Sequence, residues 1–190
     1  MTEPMLRPDC TRCAALCCVA PAFDRSEDFA VDKPAGVACP NLTADHRCAI
    51  HADLARRGFR GCAHYDCMGA GQRVTQEMFA GRSWRDDPAI AGAMFEAFRR
   101  MRQVHALLEL LETAGRLPLT AAQRQTHNEL RHALDPDGGW TPSSLAAFER
   151  GPLPAEVGRF VMSLRGAAAS DTEAAGALRA ALSPALRHQQ

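Results

Sequence analysis

The sequence predicts a mainly α-helical chain in two parts: a loop-rich module stapled by cysteines or by metal over residues 1–80, then a small bundle of about five helices over residues 84–190. Three observations carry that prediction. All eight cysteines lie in the first 67 residues, prolines and glycines punctuate the same segment, and from Asp87 onward apolar residues recur every three or four positions.

The front segment is broken by Pro8, Pro21, Pro34 and Pro40, with Gly36, Gly58 and Gly61 between and after them. It offers few apolar residues in any clear period. A segment of this size and composition cannot offset its own ordering entropy by burial alone. The cysteines are the available staple.

The helical part opens at Asp87-Pro88, an N-cap followed by a proline in the first turn. Ile90, Met94, Phe98, Met101, His105, Leu108 and Leu111 then form an amphipathic stripe that Gly115 and Pro118 end. Thr120 with Gln123 reads as a capping box opening a second helix, which fades at DPDGG, residues 135–139. Thr141-Pro142 begins a third, carrying Leu145 and Phe148 and stopping at Gly151. Pro154 starts a fourth, with Val157, Phe160, Val161 and Leu164 inward. Ser170 with Glu173 caps an alanine-rich fifth running toward Pro184, and the final RHQQ reads as frayed.

Charge narrows the partners. Lysine plus arginine and aspartate plus glutamate balance at 22 each. A neutral chain lacks the electrostatic footprint for nucleic acid or an anionic membrane, so neither is expected as a partner. Among the basic residues Lys33 is the single lysine, which reads as codon usage rather than chemistry. No secretory signal pattern opens the sequence, and no window is apolar for long enough to span a bilayer. The expected location is therefore the cytoplasm, where thiols stay reduced and clustered cysteines lean toward metal or catalysis.

The candidate ligands are Cys10, Cys13, Cys17, Cys18, Cys39, Cys48, Cys62 and Cys67. Were CTRCAALCC (residues 10–18) helical, Cys10, Cys13 and Cys17 would share a face at ~100° per residue, with Cys18 turned away. Were it a tight loop, the two-residue spacing would still permit a chelating knuckle. Adjacent cysteines seldom serve one ion comfortably, so Cys17 or Cys18 is expected to face a second site, to bridge, or to stay a buried thiol. Eight thiolates suit two four-ligand sites, or one cluster with spare thiols. His46, His51 and His64 lie close enough in sequence to substitute, although each is more simply a surface or packed histidine. A disulfide framework conflicts with a reducing compartment, a thioredoxin-like CxxC needs a βαβ surround, and a lone catalytic cysteine needs no seven companions. Thiolates suit zinc and iron–sulfur clusters alike, which leaves the metal open.

These elements resemble the zinc- or iron-chelating cysteine-cluster proteins (YkgJ-like). The family's marks are read here as CTRCAALCC, CPNL at 39–42, CAI at 48–50 and GCAHYDC at 61–67, over roughly the first 75 residues. The stretch DKPAGVACPNL through GFRGCAHYDCMGAGQ is most similar to the cysteine-rich region ahead of pentapeptide repeats in some bacterial proteins. This sequence shows no tandem array, only a single HADLA at 51–55, and carries His51 where many members have an aromatic residue. The resemblance implies a zinc or iron–sulfur centre; the sequence is read as a structural or interaction module, and a protein partner for the helical part is a separate expectation. The alternative it implies is an iron–sulfur redox or methyl-transfer-associated enzyme, because related clusters accompany flagellin lysine methylases.

Weaker signals have plain readings. GAGQ (69–72) lacks the strand and third glycine of a nucleotide loop and reads as a turn. Tyr65-Asp66 could donate hydrogen bonds to thiolate sulfur or could simply pack. His105 reads as a core histidine, and Arg99, Arg100 and Arg102 as a solvated helix edge. Trp84, in SWRDDP, is expected to dock between the two parts.

Overall fold

The computed structural model describes residues 6–164. Those residues form seven α-helices and no β-strand, the mainly α architecture that the sequence predicts. In chain order they are α1 (Leu16–Val19), α2 (Arg60–His64), α3 (Ala70–Arg73), α4 (Ala91–Gly115), α5 (Ala121–Leu134), α6 (Pro142–Arg150) and α7 (Leu153–Ser163). A π-helical turn over Val74–Met78 continues α3, so GAGQ opens a short helix after a left-handed Gly69 instead of forming a turn alone. The expected fifth bundle helix and the RHQQ tail lie outside the described residues. Among the described residues no helix is long and apolar enough to cross a membrane.

Two compact units divide the chain, Met1–Arg102 and Gln103–Gln190. The division falls inside α4, not at residues 80–84 where the change of sequence pattern suggests it. The cysteine segment is short of core and recruits the front of α4 to supply it: Met94, Ala97, Phe98 and Met101 are all buried. Trp84 acts within this first unit. Its Nε1 donates to the Ala14 carbonyl at 2.8 Å, and its ring meets Phe95 edge-on at 6.0 Å. Ala14, Ala15, Leu16, Val19, Cys39, Phe59, Ala70, Val74 and Phe79 complete the buried apolar set, while Phe23 stacks on Phe29 at 4.3 Å with Phe59 edge-on at 6.5 Å. Backbone regularity is otherwise sparse, down to isolated bridges at Phe23↔Lys33 and Leu42↔Cys48.

In the second unit the stripe on α4 is buried at Val104, His105, Leu108 and Leu111, so His105 sits in the core as its position implies. The capping box of α5 forms as read: the Thr120 hydroxyl accepts from Gln123 N at 3.3 Å, and the Gln123 side chain accepts from Thr120 N at 2.9 Å. Thr141 caps α6 in the same way, with Pro142 in its first turn. His127 on α5 is a core contact that periodicity did not single out. Its Nε2–H donates to the Leu111 carbonyl at 2.8 Å, and a side chain at Gly115 would put Cβ 2.9 Å from that same nitrogen. Glycine at the end of α4 thus permits α5 its close approach. Trp140 donates to the Leu134 carbonyl at 3.1 Å and meets Phe148 edge-on, closing the turn between α5 and α6.

Candidate metal centre

The first cysteines do not sit on one helix. Cys10 begins a 3₁₀ turn, Cys10–Arg12, capped by the Asp9 carboxylate, which accepts from Thr11 N at 2.9 Å. Cys13 is extended, Ala15 is left-handed at φ +56°, and only then does α1 begin. The interruption has a tertiary cause. Ala14 N donates to Thr75 Oγ1 at 3.1 Å, and the Ala14 carbonyl is held by Trp84, so neither group is available to a continuous helix. Of the two readings of CTRCAALCC, the loop is the one formed. Cys17 and Cys18 follow on α1 with their Sγ atoms 3.9 Å apart.

Backbone pairing brings in Cys39 and Cys48. Cys39 N donates to the Cys18 carbonyl at 2.9 Å, and Leu42 N to the Cys39 carbonyl at 2.9 Å. Leu42 bridges Cys48, which sets Cys48 beside the Cys39 turn. Cys62 lies on α2, and the Cys67 carbonyl accepts from Ala70 N at 3.0 Å at the start of α3. One turn on, Gly71 faces Cys13: a Cβ there would stand 2.6 Å from its Sγ. Only a residue without a side chain fits that approach.

All eight cysteines are free thiols, with Cys39 buried and Cys10 exposed. Among the described residues no three His, Cys, Asp or Glu side chains close on a point as a finished ligand set. The thiols are gathered without being converged, and their charges register the gathering. Burial pushes Cys13 up to about 11, with Cys67 and Cys10 adding to the rise. Burial likewise pushes Cys62 up to about 11, with Cys18, Cys39 and Cys48 adding. Cys10 and Cys48 are raised chiefly by burial too, Cys10 further by Cys67 and Cys18, and Cys48 by Cys18, Cys39 and Cys10. The contact between Cys17 and Cys18 holds one proton on the pair, raising Cys17 and lowering Cys18, with help for the latter from the Lys33 charge.

His51 lines a shallow pocket together with Cys62 and Tyr65. His46 Nε2 pairs with Ser83 Oγ at 2.7 Å and its ring meets Trp84, while His51 and His64 are exposed.

Sequence reasoning missed three residues. Lys33, read as codon usage, is 3 % exposed. Its Nζ donates to the carbonyls of Val19 (3.1 Å), Pro34 (3.2 Å), Val37 (3.0 Å) and Pro21, and lies 5.3 Å from the Phe23 ring centre. Burial lowers its pKa while the neighbouring Cys39, Cys18 and Cys62 thiolates oppose the fall. Arg102 is not a free edge residue: its guanidinium lies 4.5 Å over the Tyr65 ring. By contrast, Arg99 and Arg100 do pair on the surface with Glu96. Gly71, the third, carries no signal in sequence beyond being a glycine. The isolation of one lysine among 22 basic residues was the only available hint for Lys33.

Two features bear on the fit to a thiophilic metal. The donors are soft, reduced sulfurs in the first unit. The Tyr65 hydroxyl is buried with no hydrogen-bond partner among the described residues, and burial raises its pKa, with Arg102 opposing and Cys17, Cys67 and Cys13 adding to the rise. A buried hydroxyl needs an acceptor, and a metal-bound thiolate is one. Asp66, its expected companion, instead accepts from Met68 N at 2.6 Å.

Among curated proteins the chain is similar to one of Bacillus subtilis (strain 168) named Uncharacterized protein YybG. Identity is 44% over 130 residues, covering 68% of this chain and 46% of that protein. The chain thus spans about half the length of the curated relative it matches. No family model matches, and no solved structure matches.

The raised thiols give a pH dependence for the metal-free, reduced protein. Cys13 and Cys62 ionise near 9.0 when unfolded and near 11 when folded, so the unfolded chain releases protons first as pH rises. Their contribution is complete below pH 9.0 and lost by about 11. Urea unfolding at pH 8 and pH 11 checks this; a midpoint that rises with pH contradicts it.

Proposed function

We propose that this chain is a metal-binding cysteine-cluster protein of the YkgJ-like kind, whose first unit is held in shape by thiolate-ligated zinc or an iron–sulfur cluster. The observation that carries the reading is the presence of all eight free thiols in one unit with little regular structure. Ionising such a grouping without a cation is costly, because each thiolate formed disfavours the next. A bound cation supplies the compensation and ties the loops together. In this reading the unit is a structural or interaction module, and reduced thiols would suit a reducing compartment such as the cytoplasm.

A protein partner for the helical unit belongs to the same proposal. The groove along α5 and α7, floored by Leu130 and Phe160 and edged by Glu129, Glu156 and Arg159, is the surface such a partner would use.

Elemental analysis and a visible spectrum of untagged protein purified without oxygen test the reading. Zinc in a colourless sample supports the structural form. Iron with sulfide in a brown sample that bleaches with dithionite supports the redox or methyl-transfer alternative. A folded, reduced and metal-free product rules out both.

A further inference from the structure

We propose that the groove between α5 and α7 is occupied by the chain's own residues 171–183, laid antiparallel to α7. This does not depend on the metal-binding reading. It goes beyond the partner surface proposed above by naming what covers the groove when that partner is absent, so that a partner must displace the segment to bind.

The groove is formed by one face of each helix. Ala122 and Ala133, near opposite ends of α5, leave its wall low, and Leu130 and Phe160, each 8 % exposed, make the floor. The space left open is about 680 Å³, within the range of clefts that take up apolar side chains (~300–1,000 Å³). Its α7 wall runs from Leu153 to Ser163, the whole helix, ~15 Å at ~1.5 Å per residue.

The chain continues from one end of this groove. Ser163 lines it, and Leu164 is the C-cap of α7. Residues 165–190 lie outside the described residues, so their sequence carries the next step. The six residues from Arg165 to Ser170, Gly166 among them, reach up to ~20 Å when extended, enough to reverse direction. Residues 171–183 then follow the Ser170–Glu173 capping signal and stop before Pro184. At helical rise they measure ~20 Å, the length of the groove.

The segment's pattern matches what the groove offers. Ala174, Leu178, Ala181 and Leu182 recur at helical spacing on one face. Two leucines among alanines make a narrow stripe, which an alanine-walled groove admits. A helix this short is marginal in water without a surface to pack on. Charge fits the two edges as well. Glu173 and Arg179 fall on opposite flanks of the stripe. The exposed charges on the groove edges are Arg159 on α7 and Glu129 on α5, with Glu156 half-buried between. Glu173 toward Arg159 and Arg179 toward Glu129 pairs opposite signs on both edges at once.

The test uses the full-length chain with p-benzoylphenylalanine in place of Leu178, irradiated in dilute solution, with the cross-links mapped by mass spectrometry. The expected cross-links lie within one chain and end on groove residues of α5 or α7. Cross-links between two chains, cross-links elsewhere in the chain, or none at all overturn the proposal. Hydrogen exchange without the probe reads the charge pairing. Amides of residues 174–182 should be protected in the wild type, and Arg159→Glu should speed their exchange about fivefold, the upper range for an exposed ion pair. Arg159→Glu/Glu173→Arg should return the rate to that of the wild type. Absent protection, or protection indifferent to both variants, counts against the docked segment.

Discussion

Removal of the proposed metal is expected to unfold the Met1–Arg102 unit and to leave α5, α6 and α7 folded. The cause is the difference in what each part buries. Between Ala20 and Gly58 the described backbone has no α-helix, and Asp24 through Asp28 are exposed. Of that stretch only Lys33 and Cys39 are buried, neither of them an ordinary core residue. The second unit, by contrast, carries Leu130, Leu134, Leu145, Phe148, Val157, Phe160, Val161 and Leu164 inside, on capped helices. Thiolate-bound structural zinc is worth on the order of 10 kcal/mol, comparable with the whole stability of a domain. Its loss therefore exceeds what the first unit retains. Hydrogen exchange after chelation in reductant reads the result: protection should vanish in α1, α2 and α3 and persist in α5 and α7. Complete metal loss with protection unchanged in α1 to α3 would overturn the argument.

Lys33→Met destabilises the first unit by several kcal/mol, and Lys33→Arg does not restore it. Four carbonyls, from Val19, Pro21, Pro34 and Val37, converge on one ammonium nitrogen. The Val19 bond is buried and the other three are partly so, and a carbonyl left buried without a donor costs about 1–3 kcal/mol. Methionine fills the volume but supplies no donor. Arginine supplies donors in a planar fork, which cannot place them all at the single point that the ammonium occupies. The substitution also removes the positive charge beside Cys18, Cys39 and Cys62. Since 1 kcal/mol moves the midpoint of a domain of ~100 residues by about 4–8 °C, the drop should exceed about 10 °C in a thermal melt. A change within about 2 °C for Lys33→Met would show that the clamp is not needed.

Much of the helical architecture was legible in the residues alone. The stripe from Met94 to Leu111, the Thr120–Gln123 capping box and the Thr141-Pro142 start are local signals, complete within a few turns. They form as read because nothing distant competes for those backbone groups. The confinement of the cysteines to the front segment was equally plain, and with it the chemistry they could perform.

What the tertiary structure alone decided is everything that joins distant segments. The break at Ala15 exists because Thr75 and Trp84, 61 and 70 residues from Ala14, claim its amide and carbonyl. The first unit extends into α4 because a segment poor in apolar residues must borrow a core. Lys33 is structural because four carbonyls that no pattern links to it happen to meet at its tip, and Gly71 matters because Cys13 sulfur occupies the space a side chain would need. Periodicity and caps report a chain's dealings with its near neighbours, whereas burial and the grouping of thiols follow from contacts that only the folded chain creates.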